Sequence, residues 1–169
     1  GNTFFSLLGA GATVSATLIA PIALAATGGF IAGALKGESE QNSNSLKELF
    51  QEQARIERLI IFINTKIEET HDKYEELAIK TQLDDADVLE YEEYINLSRL
   101  LSIYQEYRYL LKQKRKLCTL ITNEIRGDFR KNTNNIKQML LEIQSISNKE
   151  HEYLELIRKA NELSNEDEE

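Results

Sequence analysis

The pattern of apolar and polar positions divides the chain sharply near residue 37. Residues 1–35 contain no charged side chain, and their large apolar residues are set among many Ala and Gly. About 18 or more uncharged, mostly apolar residues are the usual signature of a membrane-spanning helix. A core helix of a soluble bundle would normally keep a polar stripe. We therefore predict that residues 1–37 are embedded in a membrane.

Small residues recur at every fourth position within this segment, on both sides of Pro21. Such spacing lets helix backbones approach closely in lipid, where hydrophobicity does not drive helices together. Thr13 and Thr17 lie beside the first small face and are candidates to line a polar path. The spacing therefore predicts a glycine-zipper helix that packs against other helices. The positions that we expect to pack are Ala12, Ala16, Ala20, Gly29, Gly33 and Gly37.

The apolar run is longer than a single straight crossing requires. A helix over residues 4–35 would be about 48 Å long, against about 30 Å of hydrocarbon. Pro21 removes one backbone hydrogen bond and favours a kink at that point. We favour one kinked span. The alternative is a hairpin, in which each arm would be short for a full crossing.

The pattern after this segment predicts long helices. Residues 38–45 form a polar linker, and Ser45 with Glu48 is a capping-box pattern that would open a helix. Apolar residues at alternating three-four spacing predict a first helix over residues 46–81. A second helix should run to about Arg126. The residues that suit the turn and the start of this second helix are Asp84, Asp85 and Asp87.

A third helix is predicted after the polar residues 132–135, and residues 162–169 form an acidic tail. No strand-like alternation of useful length appears. Because short connections between long helices imply antiparallel neighbours, we expect each helix to run antiparallel to the next one. The predicted fold class is all-α: a transmembrane glycine-zipper helix, then an antiparallel, coiled-coil-like three-helix bundle over residues 46–161.

Charge is distributed unevenly along this predicted bundle. The net charge of −8 argues against general nucleic-acid binding, and residues 68–93 contain eleven Asp or Glu against two Lys. Antiparallel pairing would place residue 115 opposite roughly residue 50, close to the linker and the membrane. Basic side chains there would favour anionic headgroups by about 1 kcal/mol each and a cytoplasmic position of the bundle. The predicted headgroup contacts are Lys112, Lys114, Arg115, Lys116, Arg126, Phe129, Arg130 and Lys131.

The chemistry expected of an enzyme is missing from the sequence. Cys118 is the single cysteine and lies on an apolar stripe, so we expect an inert, buried thiol. His71 and His151 are expected to lack metal-ligand partners at helical spacing. No phosphate-binding loop, dinucleotide-binding turn or nucleophile elbow occurs. We therefore predict no enzymatic activity, no cofactor and no metal site.

These features predict a homo-oligomeric membrane protein whose N-terminal helices form a pore or a permeability lesion. The bundle would hold the subunits in register and receive a trigger from a regulatory protein. In outline, this architecture resembles helical pore-forming toxins and small membrane effectors of bacterial defence systems. Two alternatives stay open: a membrane-anchored scaffold whose bundle binds another protein, and a soluble toxin that hides its apolar segment until it meets a membrane.

Overall fold

The computed structural model describes the backbone of residues 39–128 and 131–168, and the side chains of residues 46–128 and 131–158. It contains three helices: α1 over Ser39–Gln82, α2 over Val88–Arg126 and α3 over Thr133–Glu168. The described part of the chain is entirely helical and has no strand, as the sequence predicts. None of these helices has a stretch apolar enough to cross a bilayer. The predicted span, its zipper positions, Thr13 and Thr17 lie outside the described residues.

Two helices extend further than their sequence patterns predict. α1 begins at Ser39, so most of the predicted linker is helical and the Ser45 capping pattern lies inside the helix. α3 continues to Glu168, through the predicted acidic tail. Neither extension contains Gly or Pro, the residues that most strongly end a helix. Both helices were predicted too short because these extensions are polar.

The start of α2 is set by a local hydrogen-bond arrangement that the sequence does indicate. The Asp87 side chain accepts a hydrogen bond from the backbone N–H of Glu90 at 2.7 Å, and the Glu90 carboxylate accepts one from the Asp87 N–H at 3.4 Å. This reciprocal capping box satisfies backbone donors that have no partner within the helix. Asp84 completes the preceding turn with a φ of 55°, a left-handed conformation that Asp adopts more readily than most residues.

α1 and α2 run antiparallel at a nearly constant register. As the position along α1 rises, the position of its partner in α2 falls by almost the same number of residues. Residue 115 lies opposite residue 57, about two helical turns from the predicted partner at residue 50. The polar pairs that mark this register are Gln53–Thr119, Glu57–Arg115, Asn64–Arg108 and Lys80–Glu90.

The core consists of two apolar clusters that follow one another along the bundle. The first, towards the α1–α2 turn, contains Ile56, Leu59, Ile60, Ile63, Leu100, Tyr104, Tyr107, Leu111, Leu154 and Ile157. The second contains Leu49, Cys118, Ile121, Ile125, Ile136, Met139, Leu140 and Ile143. Because Leu49 packs with residues on both sides of the α2–α3 loop, that loop lies beside the start of α1, as predicted. We call the end of the bundle that carries the α2–α3 loop the proximal end.

We expect Asp87→Ala to lower the free energy of unfolding by about 1 kcal/mol, because it removes the N-cap of α2. Asp85→Ala is the matched control, since Asp85 is exposed and accepts no hydrogen bond from the α2 N-terminus. Urea denaturation followed by circular dichroism measures both. Equal losses in the two variants would contradict the assignment of Asp87 as the cap.

Candidate functional site

Four charged side chains are buried between the two apolar clusters. We call Glu52 and Arg55 of α1, Lys114 of α2 and Glu150 of α3 the charge cluster. Each of these side chains is at most 1% exposed. The charge cluster joins all three helices, and its formal charges cancel, with two cations against two carboxylates.

The geometry pairs every charge with an opposite one. Arg55 donates from Nε to Glu52 Oε1 at 2.5 Å and from Nη2 to Glu150 Oε1 at 2.8 Å. Lys114 Nζ donates to Glu150 Oε2 at 3.0 Å and lies 3.5 Å from Glu52 Oε2. The Tyr107 hydroxyl also donates to Glu150 Oε1, at 3.2 Å. Glu150 therefore accepts from three side chains and is the centre of the arrangement.

The electrostatics keep the Arg55 guanidinium ionised although it is buried. Burial acts to lower the pKa of Arg55, but the carboxylates of Glu150 and Glu52 outweigh burial and raise that pKa. Burial raises the pKa of the Tyr107 hydroxyl, and the nearby Glu150 carboxylate raises it further, so this hydroxyl stays a hydrogen-bond donor. The groups are thus held as a fixed set of donors and acceptors, closed to solvent.

The charge cluster constrains how the helices align more than it adds net stability. Removing four charges from water costs several kcal/mol per ion, and the mutual attraction largely offsets that cost. A slip of α3 by four residues would put Ile146 or Leu154 in the place of Glu150. Arg55 and Lys114 would then be buried without that carboxylate. The free-energy cost of this slip would be much larger than that of a slip that only exchanges one apolar side chain for another.

Lys114 belongs to the basic run 112–116, which predicts it as a headgroup contact. The structure separates it from that run, since its side chain is buried. The sequence does contain an indication that Lys114 is buried. The apolar stripe of α2 has a seven-residue gap between Leu111 and Cys118, and Lys114 occupies the interior position within that gap. Glu52 and Glu150 fill similar gaps in α1 and α3, and the sequence analysis missed both.

The remaining basic residues lie in the proximal half of the bundle, and we call them the basic surface. Lys112 and Lys116 are exposed on a ridge of α2 with grooves on both sides. Arg115 is half-buried and pairs with Glu57 at 2.9 Å. The members of the basic surface are Lys112, Arg115, Lys116, Arg126 and Lys131. Phe129 and Arg130 lie outside the described residues.

Apolar side chains lie between these cations. Phe50 and Leu120 are each 42% exposed. Both contribute to a groove of about 680 Å³ between α1 and α2. The Arg126 guanidinium lies 5.1 Å from the centre of the Phe50 ring, a cation–π contact. The basic surface is therefore amphipathic rather than a purely solvated face.

His71 has a possible metal-ligand neighbour at helical spacing, contrary to the sequence analysis. Its Nδ1 lies 3.7 Å from Glu75 Oε1, and Asp72 brings a third ligand atom within 4.8 Å of the other two. All three side chains are exposed on one helix, and exposed acidic groups of this kind are common without an ion. The helical spacing alone therefore gives no reason to assign a metal site.

We expect Lys114→Met to lower the free energy of unfolding by about 3–5 kcal/mol, because Glu52 and Glu150 would then share one buried cation. Lys116→Met is the matched control: the same change at an exposed position two residues away should stay within about 0.5 kcal/mol. Urea denaturation of the full chain in detergent measures both values. Similar midpoints for the two variants would show that the charge cluster does not form.

Cys118 provides a second readout of the same prediction. Burial raises the pKa of its thiol to about 12, so the reactive thiolate is scarce at pH 8 and labelling by a thiol reagent should be slow. Lys114→Met should increase the labelling rate, because loosening of the adjacent core exposes the thiol. Lys116→Met should leave the rate unchanged.

Comparisons with protein-family models, curated proteins and solved structures gave no match. Function is therefore argued from the chain's own residues.

Proposed function

We propose that this chain is a homo-oligomeric membrane protein whose N-terminal segment permeabilises a bilayer while its bundle stands on the membrane surface. The observation that carries the proposal is the position of the basic surface. Arg126 and Lys131 lie at the proximal end, where residues 1–37 join α1, and Lys112, Arg115 and Lys116 extend the surface along α2 to the level of residue 60. A chain that enters a membrane at this end brings Arg126 and Lys131 to the headgroups.

The composition of the basic surface supports this orientation. Arg126 and Lys131 would attract anionic headgroups, and the exposed faces of Phe50 and Leu120 suit the boundary between headgroups and acyl chains. The opposite end of the bundle carries most of the exposed acids and would be repelled by the same surface. The two ends together favour a bundle that points away from the bilayer.

The pore itself is argued from the sequence of residues 1–37. The ladder of small residues, including Gly29 and Gly33, suits close packing of helices from several subunits. Thr13 and Thr17 would supply hydroxyls to a polar path. In this proposal the charge cluster keeps the three bundle helices aligned. A conformational change caused by a partner of the bundle would then be transmitted to the membrane segment, because the helices do not slide past one another.

A second candidate is a membrane-anchored scaffold, in which residues 1–37 only tether the bundle. It is favoured by large apolar side chains that remain exposed at the end furthest from the membrane, including Leu83 and Leu89. Replacing residues 1–37 with an unrelated span separates the two candidates. A tether would tolerate the exchange, whereas a pore-forming segment would lose its activity.

We expect Gly29→Leu/Gly33→Leu to abolish dye and potassium efflux from liposomes that contain the purified full chain, because the larger side chains keep helices apart. The matched control is Ala23→Leu/Ala34→Leu, which adds the same kind of bulk on other faces of an ideal helix. The variants are compared at equal incorporation into the liposomes. Efflux that survives in the Gly variant, or no efflux from the native chain, would count against the pore.

We expect Arg126→Glu/Lys131→Glu to weaken association of the bundle without residues 1–37 with phosphatidylserine-containing liposomes at least tenfold, since each basic residue near an anionic leaflet contributes about 1 kcal/mol. Arg58→Glu/Lys149→Glu makes the same charge change at exposed positions outside the basic surface. Binding is measured by flotation over a range of salt concentrations. If both variants lose the same affinity, only net charge matters and the proposed surface is wrong.

A further inference from the structure

The turn between α1 and α2 carries an unusual group of exposed apolar side chains. Ile79 is 58% exposed, Leu83 73%, Val88 74% and Leu89 76%. We call these four residues the distal tip. Turns of this kind normally carry small or polar residues, and large exposed apolar groups that lie together mark interaction sites.

The distal tip is displayed by a well-bonded turn. The backbone N–H of Asp85 donates to the Lys80 carbonyl at 2.9 Å, and that of Asp84 donates to the Thr81 carbonyl at 3.2 Å. Lys80 Nζ bridges to the Glu90 carboxylate of α2 at 2.6 Å. This contact raises the pKa of Lys80 and lowers that of Glu90, so both stay charged near neutral pH. The apolar residues are thus presented on a closed, preformed turn.

Acidic side chains surround these apolar residues. Residues 79–92 contain five acidic side chains and one lysine, and that lysine is bound to Glu90. Asp84, Asp85 and Asp87 are exposed within the turn. This combination differs from that of the basic surface, where the exposed Phe50 and Leu120 lie among cations.

We propose that the distal tip binds a basic amphipathic helix of another protein. The apolar face of such a helix would cover Leu83, Val88 and Leu89, and its Lys or Arg side chains would face the three aspartates. Charge complementarity selects this occupant. An anionic membrane and the distal tip of a second copy are both disfavoured by like-charge repulsion.

A second copy of the basic surface would have the right charge but the wrong position. If the chain stands in a bilayer on its proximal end, Arg126 and Lys131 face the headgroups in every copy, at the opposite end of the bundle from the distal tip. The proposal of another protein as the occupant rests on this proposed orientation, but it does not depend on membrane permeabilisation. Its failure would leave the efflux and flotation results unaffected.

The test uses the full chain in nanodiscs of zwitterionic lipid and a fluorescent synthetic helix of Leu and Lys as the probe. Empty nanodiscs measure binding of the probe to lipid alone. Fluorescence anisotropy should show saturable binding that Leu83→Ser/Val88→Ser/Leu89→Ser weakens at least tenfold. Ile61→Ser/Leu141→Ser/Leu156→Ser is the matched control, because it removes three exposed apolar side chains elsewhere and should leave affinity unchanged.

A second pair of variants tests the charge. Asp84→Asn/Asp85→Asn should weaken binding severalfold and reduce its salt dependence, whereas Glu68→Gln/Asp72→Asn removes two exposed acids away from the distal tip and should not. Asp87 is left intact because it caps α2. Circular dichroism should be the same for all variants, since every changed side chain is exposed.

Three results would overturn the proposal. One is probe binding that is absent, or that the distal tip and control variants lose equally. Another is binding of the full chain to anionic vesicles that depends on Leu83 and Leu89, which would make the distal tip a lipid contact. The third is self-association, measured by sedimentation, that the distal tip variant abolishes. That result would identify a second copy as the occupant.

Discussion

The bundle depends on four charges that water cannot reach. Apolar stripes hold three helices together, but they tolerate displacement by a turn, because one aliphatic side chain replaces another at modest cost. Glu150 removes that tolerance, since Arg55, Lys114 and Tyr107 all donate to it from the other two helices. A buried carboxylate with these partners has one acceptable position. The charge cluster therefore sets the alignment of α1, α2 and α3, and with it the residues that each end of the bundle presents.

With the helices aligned in this way, exposed basic and acidic side chains are separated along the long axis of the bundle. The basic surface lies towards the end where the N-terminal segment joins, and the acids lie around the α1–α2 turn. Lys112 is level with residue 60 of α1, about 33 Å along the helix from residue 82, so the two regions are separated by several Debye lengths at physiological salt. Each can therefore recognise its own partner without interference from the other. Such a bundle suits a protein that touches a membrane at one end and another protein at the other.

Both the basic surface and the distal tip combine charge with exposed apolar area, but the sign of the charge differs between them. Near the proximal end, Phe50 and Leu120 lie among cations, which matches an anionic headgroup layer above an acyl region. At the distal tip, Leu83 and Leu89 lie among carboxylates, which matches a basic amphipathic helix. In both proposed contacts the apolar area would supply binding energy and the charge would select the partner. A trigger that binds the distal tip would act through the length of the aligned bundle.

The sequence by itself determined what local rules control. Three-four apolar spacing predicted the helices, and the aspartates at positions 84, 85 and 87 indicated the turn and the start of α2, because both features depend on residues within a turn or two. It could not distinguish Lys114 from Lys116, which share the same basic run. Only the tertiary structure decided that one is buried and the other exposed. The physical reason is that the carboxylates which compensate Lys114 come from α1 and α3, distant in sequence. Only the packed register brings Glu150 within hydrogen-bonding distance of Lys114 and Glu52 within ion-pair distance.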